Sequence, residues 1–146
     1  MEFTNAAGTV VSSHTMTFFV LALALLQVPV PKNNPSGTWQ ADSGSAYEIR
    51  QNGTDVKVAL VAGSNPKFKS YEVTLTNQSE ANTYKGAGTF IAKMESGKEC
   101  KFTTEWMFVV VSPDRIIGTA TGIDADKNTC EIKQRPQLQL DLKKKK

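Results

Sequence analysis

The sequence predicts an all-β chain, an antiparallel up-and-down β-barrel of about eight strands. Three observations carry this expectation. From Gly37 onward, apolar and polar residues alternate with period two, and no stretch carries a helical repeat. Turn residues interrupt the alternation at hairpin intervals. Each segment has one apolar and one polar face, the pattern of antiparallel strands with one side in a core. So many hairpins in succession must close on themselves or fold into two layers, because open edges recruit other chains. Closure is the simpler arrangement.

Gly37-Thr38-Trp39 opens the first strand. Tyr47, Ile49 and Gln51 share a face of the second, and Asn52-Gly53 supplies a strong hairpin signal. Val56, Val58 and Leu60 return before the turn at Gly63-Ser64-Asn65-Pro66. Tyr71, Val73 and Leu75 share a face of the next strand, and Tyr84, Gly86, Gly88, Phe90 and Ala92 share a face of the one after. The clearest run sets Phe102, Thr104, Trp106, Phe108 and Val110 on one side and Thr103, Glu105, Met107, Val109 and Val111 on the other. Ser112-Pro113-Asp114 turns it into Ile116, Gly118, Ala120 and Gly122. A polar loop at Asp124 to Thr129 leads to Ile132, and Leu138, Leu140 and Leu142 mark the last strand. An eight-stranded interior of this kind is either filled by side chains or just wide enough for one small ligand.

Cys100 and Cys130 are the only cysteines, a count suited to one disulfide in an oxidising compartment; two separate thiols are the alternative. A hairpin turning at Ser112-Pro113-Asp114 places Cys100 opposite a position near Lys127, within loop reach of Cys130. The N-terminal side points to the same compartment. Phe18 through Leu26 is an unbroken run of nine apolar residues. That is short of the roughly 20 a membrane helix needs, so no stable membrane span is expected. The run matches the core of an export signal, with Ala22 and Ala24 near a cleavage point, although Glu2 is the only charge before it. It also fits a buried apolar helix or strand, but Pro29, Pro31 and Pro35 break the chain immediately afterwards. The expected organisation is a signal-like segment over residues 1–31, a linker over 32–36, a barrel over 37–142 and a lysine tail over 143–146, in a secreted or periplasmic protein.

Charge and composition exclude several function classes. Of 146 residues, 17 are Lys or Arg and 14 are Asp or Glu, and four of the positives are the terminal lysines. The folded body is therefore near neutral, without the basic face that tracking phosphates requires, and no nucleic-acid partner is expected. The only histidine is His14, which removes His-dependent triads and His-cluster metal sites from the barrel. No cofactor, metal or catalytic residue is expected, and the chain reads as a binding protein rather than an enzyme. Asp124-x-Asp126-x-Asn128 has the opening spacing of a calcium loop, but Thr129 and Arg135 stand where the sixth-position glycine and the terminal glutamate belong. It reads as an acidic hairpin tip. Asn52-Gly53-Thr54 and Asn77-Gln78-Ser79 fit the glycosylation acceptor pattern, which matters only on a eukaryotic secretory route.

Gly37-Thr38-Trp39 followed by a hairpin meander resembles the calycin barrels, meaning lipocalins and avidins. The resemblance implies that Trp39 plugs one end of the barrel and packs against a basic residue of a late strand, for which Arg135 is the candidate. Gly44-Ser45 stands at the spacing seen in avidin-like proteins, where the matching serine contacts the ligand. Thr104-Glu105-Trp106 looks like the late tryptophan strand, and Gly122-Ile123-Asp124 like a ligand-contacting motif. The chain departs from the avidin pattern at Ala41 and in having only Trp39 and Trp106.

Two functions follow as expectations. The first is a small apolar or amphipathic ligand held in the barrel by Ser45, Tyr47, Tyr84, Phe90, Trp106 and Phe108, with Trp39, Arg135, Cys100 and Cys130 structural. The second is a protein-interaction or inhibitor module that presents loops such as Gly63 to Pro66 or Asp124 to Thr129 on a filled barrel. Exposed apolar loop tips would favour the second.

Overall fold

The computed structural model describes residues 33–146. The signal-like segment lies outside them. The elements are β1 (Gly37–Ala41), β2 (Ala46–Asn52), β3 (Asp55–Leu60), β4 (Phe68–Asn77), β5 (Thr83–Lys93), β6 (Glu99–Ser112), β7 (Arg115–Thr121), β8 (Asp124–Ala125), β9 (Ile132–Gln134) and β10 (Gln137–Lys144). Eight of them close into an antiparallel barrel in the order β1-β10-β7-β6-β5-β4-β3-β2, and β8 with β9 forms a separate two-stranded ladder. Closure leaves no free edge in the main sheet.

The period-two pattern supplies the core. Ile49, Val56, Val58, Val73, Leu75, Phe108, Val110, Ile116 and Leu142 point inward and are buried. Small residues let the strands cross closely. A Cβ at Gly88 would overlap the Glu72 carbonyl oxygen and Val73 Cα, and one at Gly118 would overlap the Met107 carbonyl oxygen. The β6–β7 hairpin runs one residue tighter than the turn alone implies. Trp106 faces Ala120 and Phe108 faces Gly118, and an irregularity between Val110 and Ser112 restores the turn at Ser112 opposite Arg115.

The two ends of the barrel differ. At one end lie the β2–β3, β4–β5 and β6–β7 turns, and the chain enters there. Residues 33–36 are not a free linker. The Asn33 amide donates to Asn82 Oδ1 at 2.8 Å, Ser36 Oγ accepts from the Gln51 amide at 3.0 Å, and Trp39 Nε1 donates to the Pro35 carbonyl at 2.7 Å. Trp39 is fully buried and closes this end. The cation over its ring is Lys144, at 5.4 Å from the centroid. Arg135 instead directs its guanidinium at the Thr103 carbonyl, 3.5 Å away. The pairing explains the exchange. β1 meets only the last residues of β10, with Trp39 opposite Lys144, whereas Arg135 precedes β10 at the other end of that strand. Lys143 and Lys144 accordingly belong to β10 rather than to a solvated tail, and the Lys145 amide donates to the Thr38 carbonyl at 2.8 Å.

The opposite end carries the β1–β2, β3–β4 and β5–β6 turns and the long connection from β7 to β10. β6 begins well before its β7 partners, whose pairing starts at Trp106 opposite Ala120. The 122–136 connection, with β8 and β9, folds beside this overhang. The Cys100–Cys130 disulfide fixes it there across 30 residues of sequence, with Cα atoms 5.7 Å apart. Ser96 Oγ donates to the Lys127 carbonyl at 2.5 Å and Lys98 Nζ to the Asn128 carbonyl at 2.9 Å, so the β5–β6 turn holds the same segment.

Candidate functional site

A cavity of about 270 Å³ opens at this second end. Its walls are aromatic. Phe68 and Tyr71 come from β4, Phe90 from β5 and Phe102 from β6. The Tyr71 and Phe90 rings stack at 5.0 Å, Phe68 stands edge-on to both at 5.4 Å, and Phe90 tilts against Phe102 at 5.5 Å. Such offset and edge-on contacts fix ring positions without help from a ligand. Ala92, Met94, Ile123, Ala125 and Leu138 complete the apolar lining. Leu138 is 49% exposed, because β1 covers β10 only from Leu142 onward.

The floor is a closed hydrogen-bond chain. Trp106 Nε1 donates to Tyr71 Oη at 2.9 Å, Tyr71 Oη donates to Thr104 Oγ1 at 3.4 Å, and Thr104 Oγ1 donates to the Thr121 carbonyl at 2.8 Å. Tyr47 packs edge-on against Trp106 at 5.3 Å and against Tyr71 at 6.0 Å. Burial, with the neighbouring Tyr71 phenol, pushes the Tyr47 hydroxyl up to about 12, and a hydrogen bond with Ser45 offsets part of this. Burial likewise raises Tyr71 above the usual tyrosine value, against the lowering effect of its bonds with Thr104 and Trp106. Both phenols are therefore neutral throughout the ordinary pH range.

The six residues expected to hold a ligand separate by height in the barrel. Phe90 lines the cavity. Tyr47 and Trp106 support its floor through Tyr71. Ser45 is buried beside them, accepting a hydrogen bond from Asn65 Nδ2 at 2.9 Å. Tyr84 and Phe108 pack on each other at 5.2 Å near the closed end, buried and away from the cavity. Sequence reasoning passed over Phe68, Tyr71, Phe102, Met94, Ile123 and Leu138 as site residues. The inward alternation already carried Tyr71 and Phe102, since both occupy strands flanking that of Phe90. Phe68 and Met94 gave no such signal, because they lie where regular pairing ends.

Asp124 to Thr129 is a hairpin tip. The Asp126 carboxylate accepts from the Asn128 and Thr129 amides at 2.8 and 3.0 Å. These bonds, with Lys133 nearby, hold its pKa down to about 2. The carboxylate is thus occupied by its own turn, and no cluster of metal-ligating side chains occurs among the described residues. Of the two glycosylation patterns, Asn52 is exposed, whereas the amide nitrogen of Asn77 is buried without a hydrogen-bond partner.

Compared with family models, curated proteins and solved structures, the chain matches none; its closed antiparallel eight-stranded barrel is compatible with a calycin-like fold.

Proposed function

We propose that this protein is an exported, non-enzymatic carrier that holds a small apolar or amphipathic molecule in the open end of its barrel, in the manner of lipocalin-type barrels. The observation that carries the reading is the contrast between a plugged end and an aromatic-walled cavity at the other. A concave, largely apolar pocket with a few fixed polar groups is the usual form of a small-molecule site. The disulfide supports export, since such bonds persist in oxidising compartments. The absence of histidine from the barrel supports binding rather than catalysis.

The loop-presenting alternative draws less support from the loop tips. Gly63 to Pro66 and Asp124 to Thr129 are polar, and Asn65 and Asp126 spend their side-chain oxygens on amides of their own turns. Intact mass spectrometry of protein from its native source tests the proposal. A carrier shows extra mass under native conditions that disappears on denaturation, in a chain lacking the N-terminal segment and oxidised at Cys100 and Cys130. A processed chain with no extra mass, and no stabilisation by added apolar compounds, counts against it.

A further inference from the structure

We infer that the ligand is a small organic acid, seated with its apolar body in the aromatic cup and its anionic group at the mouth between Lys67 and Lys93; this rests on reading the cavity as a ligand site. Both lysines line the cavity, whose own walls hold no carboxylate; on their outer side they border a groove with Glu95 and Asp126, which are paired with Lys127 and Lys133. Four neighbouring cations are engaged. Lys69 pairs with Glu99 at 2.8 Å, Lys127 with Glu95 at 3.4 Å and Lys133 with Asp126 at 3.6 Å, while Lys98 bonds the Asn128 carbonyl. Lys67 and Lys93 have no ion pair among the described residues. They are also held together, because the Lys93 amide donates to the Lys67 carbonyl at 2.7 Å. Two like charges on bonded backbone positions repel, and an anion between them relieves the repulsion.

The floor determines which way the ligand points. The Trp106 N–H, the Tyr71 hydroxyl and the Thr104 hydroxyl all donate to protein acceptors, so no donor there is left for a polar head. An acid entering head-first would bury an unsatisfied charge, whereas entering tail-first it buries only carbon. Size limits the class further. At ~30 Å³ per water, 270 Å³ is the room of about nine waters. That suits an acid whose buried part is an eight-carbon chain or a single ring.

Calorimetric titration of the full chain with octanoate, octanol and octylamine tests this. The expected result is octanoate binding about fivefold or more tighter than octanol, the scale that two exposed ion pairs supply, with octylamine weakest. The octanoate advantage is expected to vanish in the Lys67→Gln/Lys93→Gln variant and in about 1 M salt, where the screening length falls to ~3 Å. Both lysines are exposed, so the variant retains the fold. Equal binding of octanoate and octanol would overturn the acid assignment while sustaining the cavity. An advantage that survives the double substitution overturns the role of the two lysines. If none of the three probes binds at millimolar concentration, the cavity reading itself fails and takes this inference with it.

Discussion

The two ends of this barrel are built from the same kinds of strand yet solve opposite problems. At the closed end, Trp39, Tyr84 and Phe108 fill the interior, and the chain entering the fold is hydrogen-bonded across the opening. At the open end, Phe68, Tyr71, Phe90 and Phe102 line a space instead of filling it, and the covering segment is held by one covalent bond and a few polar contacts. Density of packing gives the first end its stability, because each buried aromatic contributes through many small contacts. The second end keeps an open cavity and depends on tethers. An eight-stranded barrel has room for both designs because its interior sits at the boundary between filled and hollow.

The sharpest way to break this comparison is to remove the tether. In the chain-entropy account, a bridge closing a loop of 30 residues contributes about 3.5 kcal/mol. The Cys100→Ala/Cys130→Ala variant is expected to lose about that much in a urea titration. Amide exchange is expected to localise the change beyond the global loss: amides in 122–136 exchange through new local openings, while Val56, Leu75 and Phe108 exchange only with global unfolding. Equal local acceleration at both ends would show that the open end is as self-supporting as the closed one.

A pair of matched tyrosines sharpens the contrast at single-atom level. The Tyr71 hydroxyl under the cavity both accepts and donates, whereas the Tyr84 hydroxyl at the closed end is buried with no partner. Tyr71→Phe strands the buried Trp106 N–H and is expected to cost about 1–3 kcal/mol, the penalty for an unsatisfied buried donor. Tyr84→Phe removes a hydroxyl that gains nothing, and is expected to leave stability unchanged or raise it by up to about 1 kcal/mol. Thermal unfolding of both variants checks the pair, and a large loss for Tyr84→Phe would reveal a partner for that hydroxyl.

These differences were only partly legible in the sequence. Alternation fixed which residues face inward, from Tyr47 and Ile49 through Phe102 to Leu142, because the period of two is local and strong. It carries no information about height along the barrel. Tyr84 and Phe90 share one strand and one face, yet one fills the closed end and the other lines the cavity. Height depends on the stagger between strands, which accumulates around the whole barrel and is set by non-local pairing. The same stagger placed Lys144 over Trp39, a contact unreadable from a run of four lysines. The roles of residues 33–36 and of the 122–136 connection were hidden for a related reason, as both depend on side-chain bonds between distant segments.

The smallest expected effect concerns the tip of the covering segment. Asp126 is held to about 2 chiefly by the Asn128 and Thr129 amides, with help from the Thr129 side chain and Lys133. A carboxyl with a depressed folded pKa contributes stability above its unfolded value near 3.9, and loses it as pH falls through the folded value. The β8–β9 turn is thus expected to be indifferent to pH from neutrality down to about 4 and to loosen between there and about 2. Amide chemical shifts of Asn128 and Thr129 followed from pH 6 to about 2 report this directly, and Asp126→Asn is expected to flatten the transition. The plug bonds of the closed end run instead to the Asn82 amide oxygen, the Ser36 hydroxyl and the Pro35 carbonyl, none of which titrates there. A loss of structure at Trp39 in the same pH window would mean that the two ends unfold as one unit, and that the tethered segment supports the whole barrel and not only its mouth.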